Sequence, residues 1–101
     1  MPFGDFVNQI PPIGFLAIHV ALFAIGSFFA WRSFGVGAST LGTGFSLFAA
    51  AELVYMTYHL DWTTFLFAHT ISEVLIVVAF GLVFMAATRS ILSPSTDALR
   101  A

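Results

Sequence analysis

The chain contains no cysteine and no lysine, and its formal charges are three arginines and five acidic residues in 101 positions. Without cysteine there is no disulfide framework, no thiolate metal site and no iron–sulfur cluster. Three arginines and a net charge of −2 supply no basic patch, so nucleic acid is not expected as a partner. Soluble domains carry about a quarter charged residues; here the share is 8%. Catalytic signatures are missing too: there is no Ser–His–Asp set, no phosphate loop and no nucleotide fingerprint. No enzyme is expected from such a chain.

What is present is apolar. Hydrophobic residues make up 59% of the sequence, and thirteen of its residues are phenylalanine. A small fold leaves much of its surface exposed, so a water-soluble globule of this length could not hide that much apolar area. The composition predicts an all-α integral membrane protein. The first apolar run lacks a basic n-region and a small-residue cleavage pattern, and is expected to be a span, not a secretory signal.

A spanning helix needs about 20 largely apolar residues. Three stretches meet this and form a single membrane domain over 1–101: about 12–32, about 40–60 and about 62–89, followed by a short polar tail over 90–101. Pro11 and Pro12 set the first start, since proline fits a first helical turn and is excluded from the interior. Ser39 or Thr40 is the expected cap of the second helix, and Asp61 or Thr63 that of the third. Pro94 ends any helical tail. The connection at Leu60–Asp61–Trp62 is short enough to make the second and third helices a tight antiparallel hairpin.

Arg32 follows the first span, whereas Arg89 and Arg100 follow the third. With three crossings they share one side, and Asp5 and Asp61 share the other. The positive-inside rule then predicts the N-terminus outside (periplasmic) and the C-terminus in the cytoplasm. Trp31 and Trp62 fall at opposite interfaces, as an aromatic belt requires. The expected location is a prokaryotic cytoplasmic (inner) or intracytoplasmic membrane.

Ionisable residues inside a membrane each cost roughly 2.5–3.5 kcal/mol and point to function by default. Here they are His19, Glu52, His59, His69 and Glu73, with Tyr55 and Tyr58 beside them. At 1.5 Å per residue, His19, Tyr55 and His69 share a depth roughly 8–11 Å below the outer surface, and the two glutamates lie deeper, roughly 12–17 Å in. Glu52, Tyr55 and His59 fall on one stripe of the second helix, and His69 and Glu73 on one stripe of the third. The hairpin is expected to turn these stripes together into a polar cluster that His19 joins.

Four roles fit such a cluster. It can hold the helices in register through hydrogen bonds. His19 or His69 can ligate haem or (bacterio)chlorophyll axially, although Phe15 and Phe65 stand four residues before them and crowd a macrocycle. The glutamates, histidines and tyrosine can relay protons or hold a metal, but a di-iron bundle needs Glu-x-x-His where this chain has Glu52-x-x-Tyr55. Finally, the cluster can contact quinone or lipid. The cofactor is left open among these.

Gly42, Ser46, Ala49 and Ala50 on the second helix, with Gly26 and Ala30 on the first, make small-residue stripes of the kind that let helices approach closely. With almost no loop mass, the expected function is that of an accessory or structural subunit of a larger membrane complex, respiratory or photosynthetic. It would dock on other membrane subunits and on lipid through its small-residue and Phe-rich faces. The alternatives are a pigment- or haem-binding subunit using His19 and His69, and a proton- or metal-conducting or sensing module around Glu52 and Glu73.

Overall fold

The computed structural model describes residues 3–92. They form a 3-10 helix over Asp5–Gln9 and three α-helices: α1 (Pro12–Gly35), α2 (Ser39–His59) and α3 (Phe65–Leu92). No strand occurs among the described residues. Pro94, Asp97 and Arg100 of the expected tail lie outside them.

The helix ends show why the boundaries depart from the apolar runs. α1 starts as expected, with Pro11 as its cap and Pro12 in its first turn. It continues past residue 32 to Gly35 because its stop is set by backbone geometry, not hydropathy. Ala38 N–H donates to Ser33 C=O at 2.8 Å and Gly37 N–H to Phe34 C=O at 3.0 Å. This double closure needs a left-handed residue, supplied by Gly37 at φ 82°. The same closure ends α2, where Trp62 N–H donates to Thr57 C=O (2.9 Å) and Asp61 N–H to Tyr58 C=O (3.0 Å). There the left-handed position is Asp61, at φ 63°.

The Asp61 closure occupies the residues expected to begin the third span, so α3 starts at Phe65 and not near Trp62. Neither Asp61 nor Thr63 heads it directly. Thr63 Oγ1 instead lies 3.0 Å from Thr57 Oγ1 across the turn, and the first α3 hydrogen bond runs from Ala68 N–H to Thr64 C=O. The cap position of α2 is held by Ala38, whose methyl group cannot accept a hydrogen bond from the first N–H groups; Ser39 is already the first helical residue.

α2 is the central helix. α1 packs on one flank and α3 on the other, while the α1 and α3 backbones do not approach each other among the described residues. The residues that make this possible are almost all small. The buried hydrophobic side chains are alanines, at 30, 38, 49, 51, 68, 79 and 86, joined by Ser33, Ser72 and Glu52 and by Gly26, Gly42 and Gly44. Phenylalanine, valine and isoleucine lie mainly outside, as at Phe80 (65% exposed) and Phe84 (71%). A water-soluble bundle has the opposite arrangement, with large apolar residues filling the core.

Two helices, α1 and the Phe65–Arg89 part of α3, are long and apolar enough to cross a membrane. Only 11% and 17% of their apolar windows are buried, unlike the core helix of a soluble protein. α2 is more polar. It carries Glu52, two tyrosines and His59, and shields Glu52 by lying between its neighbours.

The α2–α3 contact is tight at Gly44. A Cβ on Gly44 would lie 3.0 Å from Val83 Cγ2 and 3.2 Å from the Ala79 carbonyl oxygen, whereas one on Gly81 would meet nothing within 4 Å. Gly44→Val is therefore expected to destabilise the bundle by about 1–3 kcal/mol through overpacking. Gly81→Ala is expected to be neutral or to stabilise it by up to about 1 kcal/mol through helix propensity. Equilibrium unfolding in lipid or mild detergent measures both; equal effects at the two glycines would contradict this packing.

Candidate functional site

The polar residues gather where α1 meets α2. Ala51, the preceding residue, is buried, and its backbone carbonyl accepts a hydrogen bond from Ser72 Oγ of α3 at 3.0 Å; Glu52 is buried beside it. One residue further round the helix, about 100° away, Glu52 faces α1. There His19 Nδ1 and Glu52 Oε2 are joined by a hydrogen bond of 2.5 Å. If the carboxyl is neutral its O–H donates to Nδ1; if the pair is ionised the imidazolium N–H donates. In either state one proton lies between them and each group has a partner. That arrangement offsets most of the cost of placing a glutamate among apolar helices. No buried side-chain polar atom lacks a partner among the described residues.

The His19 ring is held on both sides. Tyr55 stacks on it at 5.1 Å between centroids with 16° between planes, and His59 at 5.1 Å with 26°. His59 in turn lies parallel to Phe15 at 5.3 Å. Phe15, His59, His19 and Tyr55 thus form a ladder of four rings between α1 and α2. It arises because 15 and 19 are one turn apart on α1, as 55 and 59 are on α2, so antiparallel packing interleaves them.

At its α3 side the ladder ends on a looser contact. Tyr55 O–H donates to Glu73 Oε1 at 3.5 Å, the outer limit for a hydrogen bond, at an exposed position. His69 is not part of this group. It is exposed on α3, stacked on Phe65 one turn before it at 5.2 Å. The sequence pattern places the Glu52–Tyr55–His59 stripe against α3. In the structure Glu52 and His59 face α1 instead, and only the Tyr55 hydroxyl reaches across to Glu73. Small residues explain the difference: Gly44, Ala51, Ala68, Ser72, Ala79 and Ala86 occupy the α2–α3 contact and turn the polar stripe away. Their spacing was a readable signal, since 44 and 51 on α2, and 72, 79 and 86 on α3, recur at seven.

The stripes singled out for helix contact are distributed as follows. Gly26, Ala30, Gly42 and Ala49 are buried, Ala50 is half-buried and Ser46 is exposed, its hydroxyl donating to Gly42 C=O at 2.9 Å. Gly26 lies under the Phe48 ring and Gly42 under the Phe34 ring, so each glycine on the α1–α2 contact receives an aromatic from the partner helix. His19 and His69, the two candidate axial ligands, are on different faces and do not form a pair. No group of three or more acidic, histidine or cysteine residues is placed to hold a metal ion among the described residues.

Inward from the ladder, away from the Asp61 turn, α1 and α3 flank α2 without meeting among the described residues. They leave a wholly apolar cleft of about 250 Å³, with Ile25, Phe48 and Phe80 among its walls and Gly26, Gly44 and Ala79 at its base.

Comparison with protein-family profiles, curated proteins and solved structures finds no match to this chain.

The His19–Glu52 pair is open to direct measurement. Removing one partner leaves the other buried without a hydrogen bond, and a His19→Ala/Glu52→Ala double-mutant cycle is expected to give a coupling of about 1–2 kcal/mol, the upper range for polar pairs between membrane helices. The Tyr55→Phe/Glu73→Gln cycle, at 3.5 Å and exposed, is expected to give about 0.5 kcal/mol or less. A coupling at His19–Glu52 no larger than at Tyr55–Glu73 would contradict this geometry.

Proposed function

We propose that the chain is a three-span integral membrane protein serving as an accessory subunit of a larger membrane complex, respiratory or photosynthetic. The observation that carries this reading is the inverted burial: small residues inside, large apolar residues outside on α1 and α3. Such a surface is stable in hydrocarbon and against other apolar helices, and unstable in water.

α2 is the third span in this reading. Its 21 residues reach about 31 Å, close to the thickness of a hydrocarbon core. Flanked by two apolar helices and with Glu52 paired, it needs no further apolar composition of its own to lie in lipid. Arg32 and Arg89 are exposed near the same end of the bundle and Asp61 at the other, which by the positive-inside rule puts the arginine end in the cytoplasm. The connections over 36–38 and 60–64 are too short to build a catalytic site outside the membrane. What is left to act is the helix surface, and helix surfaces act by binding other helices, lipid or membrane-soluble molecules.

The test is native purification in a mild detergent or in lipid particles cut from the membrane. The chain is expected to run with partner subunits at a mass well above its own; a solitary, functional monomer would contradict the reading. Orientation is tested separately, because a chain free of cysteine gives a clean background. A single cysteine at Asp61 is expected to react with a membrane-impermeant maleimide from outside the cell, and one at Val36 only after lysis.

A further inference from the structure

One alignment runs through all three helices. On α1, His19 stands seven residues before Gly26; on α2, Tyr55 stands seven after Phe48; on α3, Glu73 stands seven before Phe80. Seven residues are almost two full helical turns, so each pair lies on one face and about 10 Å apart along the axis. The second member of each pair lines the apolar cleft, and the first belongs to the hydrogen-bonded or stacked polar group. The polar group therefore stands in line with the apolar cleft on all three helices, about two turns from it.

The polar end has hydrogen-bonding capacity left over. Glu52 is satisfied by His19, but the only hydrogen bond to Glu73 from a described residue is the 3.5 Å one from Tyr55, and Glu73 is exposed. An exposed carboxyl within an apolar helix is costly unless something covers it with a donor. Beside it stand stacked rings, since the His19 plane lies 16° from that of Tyr55 and 26° from that of His59.

We infer that the cleft, with the polar group in line with it, binds a membrane-soluble amphiphile of the quinol class: a flat hydroxylated ring carrying an apolar chain. The chain lies in the cleft between Ile25, Phe48 and Phe80. The ring lies against Tyr55, and one of its O–H groups donates to the Glu73 carboxyl. A flat head extends the existing ladder, a hydroxyl supplies Glu73 with a closer donor than the 3.5 Å one from Tyr55, and the head-to-tail spacing matches the two turns between Glu73 and Phe80. The inference concerns binding alone. It rests on the placement of the three helices in a membrane, and not on the existence of a partner complex.

The test uses the purified full chain in phosphatidylcholine nanodiscs under anaerobic conditions, titrated with decylubiquinol and followed by native mass spectrometry. One saturable adduct per chain is expected. Decylubiquinone, which has the ring and chain but no O–H donor, is expected to bind about tenfold more weakly through loss of one hydrogen bond; decanol, which has the chain and a hydroxyl but no ring, is expected to bind at least about tenfold more weakly through loss of the ring contacts with Tyr55. Glu73→Gln is expected to weaken decylubiquinol binding by a similar factor. Ile25→Trp, which fills the cleft from its exposed rim, is expected to abolish the adduct, while Val78→Trp, outside the cleft, leaves it unchanged.

Because the three probes are compared on the unmodified chain, the inference stays testable even if a variant misfolds. Equal binding of decanol and decylubiquinol would overturn it, as would wild-type binding by both Glu73→Gln and Ile25→Trp. It would also be overturned by a dimer of the chain that takes up no ligand and separates on Glu73→Gln, since the cleft would then be covered by a second copy. The chain is tested alone, so failure to find partner subunits leaves this result standing, and the reverse.

Discussion

The structure depends on how closely two helices can approach α2 at once. In the membrane placement proposed above, burial of hydrophobic surface from water does not drive the helices together, and the remaining forces are short-range packing and hydrogen bonding. Both fall off within an ångström or two, so only small residues at the contacts make them effective. α2 meets this demand on two flanks with two different sets. Gly42 and Ala49 serve α1, and Gly44 and Ala51 serve α3. Between them they use up the narrow faces of the helix and fix its rotation.

The polar site follows from that rotation. With buried Ala51 against α3, where its carbonyl accepts from Ser72, the neighbouring Glu52 lies about 100° round the helix and meets His19 of α1. The pair in turn pins the register of α1, because a shift of one turn would bury the carboxyl without a partner. Tyr55 and His59, on the same stripe as Glu52, then close on both faces of the imidazole. Packing and polar chemistry are therefore one device: small residues choose the facing, and the hydrogen bond makes the alternatives expensive. The same rotation leaves the cleft over α2 open, since Phe45 and Phe48 face the gap between α1 and α3.

The helices themselves were legible from the length of the apolar runs and from Pro11–Pro12, because hydropathy and proline act locally. Helix ends were less so. The stop after Gly35 uses a glycine in the left-handed conformation, a recognisable signal, but the stop after His59 uses Asp61, whose preference for that conformation is weak. The residues of the site could also be named from the sequence, since ionisable groups in apolar helices stand out. Their partners could not, because the facing of α2 is decided by competition between two small-residue stripes. Both the Gly42–Ala49 and the Gly44–Ala51 spacings are visible in the chain, and spacing alone does not decide which of them sets the rotation of α2. His69 shares the spacing of the cluster but has no counterpart on α2, and so stays outside it.

Membrane placement, α2 as the middle span and the accessory role all presuppose that α1 packs on α2 in this register when lipid surrounds the bundle. Solid-state NMR dipolar recoupling between ¹⁵N-labelled His19 Nδ1 and the ¹³C-labelled Glu52 carboxyl, recorded in lipid bilayers, tests that most directly. A hydrogen bond of this length predicts a nitrogen-to-carboxyl-carbon distance within about 4 Å and a correspondingly strong coupling. No measurable coupling, with both helices intact by circular dichroism, would contradict it.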